Sequence, residues 1–294
     1  MKRLHAENVD EKKPIFYLCR LFGHTKQAYY KDGNRLLLLA VKERMVVDFV
    51  RSRRKNCPGM GGEKLWYKYK EEYPSEYLMG RDAFMNVLYT NRLTLRKKRR
   101  RCRTTDSSHP YPLYENLVKG LEVTYFGQVI VSDITYVRMG EKFCFLSIVT
   151  DVYSRSIIGY YVGESLAVVN TIKALEMALE RLGNIPREKG CIHHSDRGVQ
   201  YASYEYTNML KECNIAISMT QNGDPRDNAI AERVNGILKG EFLDAYSFKD
   251  IGQVRTEVDK AIHYYNYERP HRALNMETPV KMAGKEDAYT YTCW

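Results

Sequence analysis

QVIVSDITYVRMGEKFCFLSIVTDVYSRSIIGYYV, residues 128–162, reads as three consecutive strands. Gln128–Val137, Lys142–Thr150 and Ser156–Val162 are rich in β-branched and aromatic residues, and Gly140 falls in the turn between the first two. The pattern predicts a hairpin followed by a third antiparallel strand. One residue breaks it. Asp133 lies among Ile130, Val131, Ile134 and Tyr136, and a carboxylate in an apolar strand is unfavourable unless something pairs with it.

Downstream the pattern alternates. A helix capped by Ser165 is predicted through Leu182, with Leu166, Val169, Ile172, Leu175, Met177 and Leu179 apolar. Cys191–His194 forms a short strand that ends at Asp196 in the turn SDRG. A helix over 203–212 and a strand over 215–220, IAISMT, follow. Asp224-Pro225 then opens another helix, with Asp as N-cap and Pro at the first helical position. Three antiparallel strands followed by alternating helices and strands make an α/β sheet of mixed order.

On that last helix Ile230, Val234, Leu238 and Phe242 form an apolar stripe. Asn228, Glu232, Asn235 and Lys239 form a separate polar stripe, so Glu232 shares a face with an amide and a lysine. Asp133, Asp196 and Glu232 thus sit on a strand, at a strand end and on a helix. Strand ends of α/β sheets are where ligands bind. Taken singly, each of the three also fits a surface or capping role. Asp151 ends an apolar strand too, and VTDVYSR reads as structural or secondary. His193 and His194 are adjacent on a strand and point to opposite faces, which disfavours a shared metal.

The 126 residues at the start hold 27 Lys+Arg against 14 Asp+Glu, a charge of +13, whereas the rest of the chain is at −3. The whole positive excess therefore lies upstream of the strands. It suits a polyanionic partner, nucleic acid first, or simply solvated basic faces. Residues 14–30, PIFYLCRLFGHTKQAYY, look helix–turn–helix-like, and Leu36–Val50 forms an apolar helix turning basic at Arg51, Arg53, Arg54 and Lys55. The break CPGMGG at 57–62 precedes helices around EKLWYKYKEEY and RDAFMNVLYT, the first with Leu65, Trp66 and Tyr69 at helical spacing. Small helices on tight turns are a DNA-binding format and also a plain bundle. Arg96, Lys97, Lys98, Arg99, Arg100, Arg101 and Arg103 make a basic linker that reads as a phosphate-contacting tether.

Seven scattered cysteines with no CxxC pair support neither a zinc module nor a disulfide framework. No run of about 18 apolar residues is present, and the first residues lack an apolar signal core, so a cytoplasmic protein is expected. Phosphodiester cleavage at neutral pH would give the three carboxylates a use. That requires an activated water or hydroxyl and a stabilised leaving oxygen, which two Mg²⁺ or Mn²⁺ ions roughly 3.5–4 Å apart provide. Such hard cations take carboxylate oxygens.

SDITYV, VTDVYSR, HHSDRGVQYAS and NGDPRDNAIAERVNGILKGEF, in this order, resemble the transposases of the IS3 group of bacterial insertion sequences. The 35 residues between Asp196 and Glu232 match the spacing of that group's DD(35)E signature, and YNYERPHRALNMETP at 265–279 is similar to its C-terminal motif. The resemblance covers most of the chain. CRLFGHTKQAYYK at 19–31 looks like the start of the group's second reading-frame product. Two positions depart from the pattern: Ile130 stands where Trp is frequent and Arg233 where Ser is frequent.

The resemblance implies an RNase H-like mixed sheet flanked by helices, the DDE integrase core, over 121–284. A helical, helix–turn–helix-like basic region at 1–109 would precede it and a tail at 285–294 follow. It implies a polynucleotidyl transferase in which Asp133, Asp196 and Glu232 bind two Mg²⁺ or Mn²⁺ ions, cut at insertion-sequence ends and join the freed 3′-OH to target DNA. Lys239 would contact DNA, Asn228 support the site, and His194, Arg197, Gly198 and Gln200 shape the Asp196 loop. Tyr265, Arg269, Pro270 and His271 would pack the C-terminal helix or touch DNA. Expected partners are terminal inverted repeats and target DNA, further copies of the chain assembled on DNA, and the first-reading-frame protein. A catalytically dead DNA-binding protein and a plain nuclease of the same superfamily are the alternatives.

Overall fold

The computed structural model describes residues 15–95, 110–183, 190–221, 228–285 and 290–293. By internal contacts the chain divides into two units, Met1–Ser52 with Lys68–Thr94, and Arg53–Tyr67 with Leu95–Trp294. The basic linker from Arg96 to Arg103 and the Asp224-Pro225 pair lie outside the described residues.

In the helical unit, α1 (Ile15–Leu21) ends at a turn in which Gly23 has φ +66°. One 31-residue helix, α2 (Lys26–Asn56), then replaces the separate elements expected at 14–30 and 36–50. Thr25 caps it through the Ala28 amide, and Asp32 and Arg35 pair one turn apart at 3.1 Å. Asp-Gly-Asn at 32–34, a turn signal read alone, is thus carried through as helix, since Gly costs a helix interior only about 1 kcal/mol. The helices α3 (Gly62–Glu72) and α4 (Arg81–Thr90) follow. Phe84, Val87 and Leu88 are buried as their spacing predicts, and the Tyr69 ring meets Phe49 and Phe84 at 5.4 Å.

The second unit holds a five-stranded sheet in the order β4-β3-β2-β5-β6. Its strands are β2 (Val129–Met139), β3 (Lys142–Asp151), β4 (Ile157–Gly163), β5 (Ile192–Ser195) and β6 (Ala216–Met219). β2, β3 and β4 are antiparallel neighbours, while β2, β5 and β6 run parallel. Gly140, at φ +57°, makes the expected turn between β2 and β3. The chain end returns to this unit: β7 (Tyr291–Thr292) pairs with β1 (Glu122–Val123), and Cys293 is buried behind it.

Two layers of side chains sandwich the sheet. On one face Ile130, Val149 and Ile158 pack with α5 (Val168–Leu182), α6 (Val199–Ala202) and α7 (Tyr204–Glu212). α5 crosses β4 so closely that a Cβ on Gly159 would lie 2.0 Å from the Ala174 carbonyl. Its N-cap is Ala167 rather than Ser165, whose carbonyl instead accepts from the Asn170 amide at 2.8 Å. On the other face Val129 and Val131 pack with Ile230 and Ala231 of α8 (Ala229–Ile237). The described part of α8 has Asn228 as N-cap, and α9 (Ile251–Tyr267) and α10 (Pro279–Ala283) complete the unit.

Candidate active site

Strand parity aims the chemistry. Residues 129, 131 and 133 of β2 share a face, and Val129 and Val131 pack against the layer that holds α8. Asp133 therefore turns toward α8. The parallel pairing of β2 with β5 ends at Ser132 opposite Ser195. One residue further on, both strands present an aspartate, Asp133 and Asp196. This is the carboxyl end of a parallel strand pair, where a sheet leaves a crevice.

Each aspartate is oriented by one fixed oxygen or two. Asp133 Oδ2 accepts from Asn235 Nδ2 at 2.7 Å and Oδ1 from the Ile134 amide at 2.9 Å. Asp196 Oδ1 accepts from the Gly198 amide at 2.9 Å, which folds the SDRG turn. Burial pushes the Asp133 carboxyl up to about 7, and the charges of Asp196 and, more weakly, Glu232 push the same way. The bonds from Asn235 and Ile134 oppose the rise without cancelling it. After burial, Asp196 acts most strongly on Asp133, then Asn235 and the Ile134 amide, and last Glu232. Glu232, on the exposed side of α8, completes the trio.

Among the described residues no three His, Cys, Asp or Glu side chains stand together as a finished metal cage. The donor set nevertheless suits a hard divalent cation: all oxygen, one member half-buried beside another carboxylate, and the outermost member exposed and adjustable.

The neighbours divide into supports and bystanders. Asn228 Nδ2 donates to the Ser132 carbonyl at 3.2 Å, beside Asp133. His194 Nδ1 meets Ser218 Oγ at 2.8 Å and Arg197 Nε donates to the Thr220 carbonyl at 2.7 Å, so both fasten the Asp196 strand end to β6 and its exit. Gln200 donates to the Leu166 carbonyl at 3.1 Å. His193 faces the opposite layer, between Ser132 Oγ at 2.8 Å and Tyr206 Oη at 2.9 Å. Burial, then the neighbouring His194, drops it to about 3, so it is neutral. Asp151 is structural: it is fully buried and accepts from the Gly127 amide, the Ser154 amide and the Ser154 hydroxyl.

Lys239 lies in a π turn, Leu238–Phe242, that continues α8. A buried ionic cluster holds this turn. Arg269, 2% exposed, grips Glu241 with two bonds of 2.8 Å, and Lys64 adds a third at 2.7 Å. The Gly59 amide donates to the Glu241 carbonyl at 2.8 Å. Tyr265 Oη donates to the Arg155 carbonyl at 3.1 Å, and its ring packs edge-on against His271. The C-terminal motif residues Tyr265, Arg269 and His271 are accordingly buried packing groups. Sequence reading placed Asn235 on the Glu232 face but gave it no role. Its signal was an amide one turn from Glu232 on a helix that must face a strand carboxylate.

A mixed sheet that sets carboxylates on two parallel strand ends and an adjacent helix defines an integrase-type core. Models of the integrase core domain match residues 126–225 and 213–279. The insertion element IS600 uncharacterized 31 kDa protein of Shigella sonnei is 32% identical over 280 residues, 91% of this chain and 98% of that one. The transposase for insertion sequence element IS629 of Shigella sonnei is 35% identical over 154 residues, 52% of this chain and 51% of that protein. The HTLV-2 integrase catalytic core domain, solved in complex with magnesium, aligns with a TM-score of 0.44 at 19% identity, over 57% of this chain and all of that one. The chain belongs to the IS3-group insertion-sequence transposases and carries their integrase core. DNA transposition is the activity of this family.

Proposed function

We propose that Asp133, Asp196 and Glu232 are the catalytic carboxylates, and that they hold two Mg²⁺ or Mn²⁺ ions during cleavage at insertion-sequence ends and 3′-OH strand transfer. The observation that carries this reading is the register: Asp133 and Asp196 each stand one residue beyond the Ser132–Ser195 pair, with α8 laid against that point. When bound, the ions supply an activated oxygen nucleophile and stabilise the leaving oxygen. The protein's own contribution is orientation. Asn235 and the Ile134 amide hold Asp133, and the Gly198 amide holds Asp196. Asp133 must give up its proton to act as a ligand, so cation binding tightens as pH rises through about 7.

In the same reading Lys239 contacts DNA near the reacting end, and Asn228, His194 and Arg197 keep the site in shape. The basic linker, Arg96, Lys97, Lys98, Arg99, Arg100, Arg101 and Arg103, tethers phosphates, outside the described residues. The partners proposed are the terminal inverted repeats, target DNA, further copies of this chain assembled on DNA and the first-reading-frame protein. The division into a DNA-binding region at 1–109, a core at 121–284 and a tail at 285–294 belongs to this proposal, as does a cytoplasmic setting. Among the described residues no helix is long and apolar enough to cross a membrane. Incubating the protein with end-bearing DNA and Mg²⁺ tests the activity. Joined products support transposition, while nicks without any joined product at any end sequence support a plain nuclease.

A further inference from the structure

None of residues 26–45, the first twenty of α2, is buried. At 1.5 Å per residue that is about 30 Å of helix. Six large apolar side chains of this stretch, Tyr30, Leu36, Leu37, Leu38, Leu39 and Val41, are 42–68% exposed. α1 and its turn add four more, Phe16 and Leu21 among them. The four consecutive leucines stand about 100° apart around the axis, so they face all sides of the helix. A surface helix carries one apolar stripe, whereas a helix apolar all round is a buried one. The rest of α2 obeys that rule: Val46, Val47, Phe49 and Val50 are buried, and the exposed side holds the Arg44–Asp48 pair at 2.8 Å.

Whatever covers these leucines must itself be apolar. DNA does not supply such a surface. Its phosphates seek cations, which Leu36 to Leu39 do not offer, and Arg35 and Arg44 on either side are paired to Asp32 and Asp48. The same stretch on a second copy does supply it, equal in length and apolar on every side, and a two-fold contact sets one patch against itself. The extent fits. At roughly 100 Å² for a half-exposed side chain of this size, the exposed set offers on the order of 1,000 Å² per copy, against about 800 Å² per partner in a stable interface. We propose that α1 and the first twenty residues of α2 are the surface on which two copies of this chain pair, helix against helix, in the absence of DNA. The inference rests on the reading of further copies as partners and adds where they meet.

Sedimentation velocity of the full chain without DNA tests it, at low salt and at about 1 M salt, where exposed charge pairs are screened. Wild type should be a dimer at both. A triple variant, Leu36→Gln with Leu37→Gln and Leu39→Gln, keeps a good helix former at each position and should be monomeric. Leu37→Glu alone, at the most exposed of the leucines, should weaken pairing about 10-fold or more. Tyr89→Gln, which removes a 74% exposed ring from α4, should leave the dimer intact. Wild-type melting should rise with protein concentration, and that of the triple variant should not. A monomeric wild type, a dimer that survives both leucine variants, or one that Tyr89→Gln dissolves equally would overturn the proposal. Copies that pair only once end-bearing DNA is added would overturn it too, while leaving the DNA-assembled reading in place. No pairing with or without DNA would sink both.

Discussion

Asn235 Nδ2 donates to Asp133 Oδ2 at 2.7 Å, joining a helix amide to a strand carboxylate 102 residues away in sequence. The bond lowers the affinity of Asp133 for its proton, against burial and two neighbouring carboxylates that raise it to about 7. Asn235→Ala should therefore move the acidic limb of the cleavage pH profile to higher pH. Profiles recorded at fixed Mg²⁺ check this, and an unmoved limb would show that Asn235 does not tune Asp133.

Asp133 also sets stability against function. Its carboxyl titrates near 3.8 when unfolded and about 7 when folded, so the folded state binds the proton more tightly. The stability this adds is present in full below 3.8 and is lost as pH rises from there through about 7. Asp133→Asn removes the buried charge. In EDTA at pH 8 it should be more stable than wild type by roughly 1–4 kcal/mol, since each tenfold change in proton affinity is worth about 1.4 kcal/mol. At pH 4 the two should nearly coincide, and urea melts at both values decide it.

Asp151 is shifted in the same direction, but its carboxylate is held by donors that an amide would disturb. Burial raises it to about 6, and the Gly127 amide, the Ser154 amide and the Ser154 hydroxyl hold its carboxylate. Asp151→Asn should cost roughly 1–3 kcal/mol of stability, the effect of disturbing a buried hydrogen-bonded group. Strand transfer per folded molecule should survive. A folded but inactive variant would mean that Asp151 belongs to the site after all.

The ionic cluster around Glu241 gives a further contrast. A Cβ on Gly59 would lie 2.5 Å from Glu241 Cα and from the Gly240 carbonyl, whereas one on Gly61 would meet nothing within 4 Å. Gly59→Ala should lose about 1–3 kcal/mol through overpacking, and Gly61→Ala should be neutral or slightly stabilising. Glu241→Gln leaves Arg269 buried and unpaired and should cost about 3–5 kcal/mol. Burial would raise Glu241, but Arg269 and Lys64 outweigh it and hold its value below 4.5. The stability it contributes is thus present above 4.5 and fades as pH falls through its lower folded value. Chemical denaturation of the three variants measures each claim.

The sheet was legible because its side chains alternate. Val129, Val131 and Asp133 fall on one parity and Ile130 on the other, and the structure sends them to opposite layers. Of the proposed trio only Asp133 stands out by the same pattern; Asp196 and Glu232, which singly also fit surface or capping roles, are singled out by the order of the motifs. What local pattern did not carry were contacts between distant segments. The grip of Arg269 on Glu241 and the docking of Gly59 beside it depend on chain paths that no short window encodes. Ser165 failed as a cap because the N-cap falls two residues later, at Ala167, and turn chemistry specifies a helix start only to within a turn. α2 runs unbroken through Asp-Gly-Asn at 32–34, whose local preference for a turn is overridden by helix on both sides.

The central claim is that Asp133, Asp196 and Glu232 act together. Its most direct test is a strand-transfer assay on end-bearing DNA in Mg²⁺, comparing wild type with Asp133→Asn, Asp196→Asn and Glu232→Gln after each is shown to be folded. All three variants should lose joined product by at least about 100-fold, since each removes a charge that acts only in the reacting complex. Joined product from Glu232→Gln at the wild-type level would contradict the account.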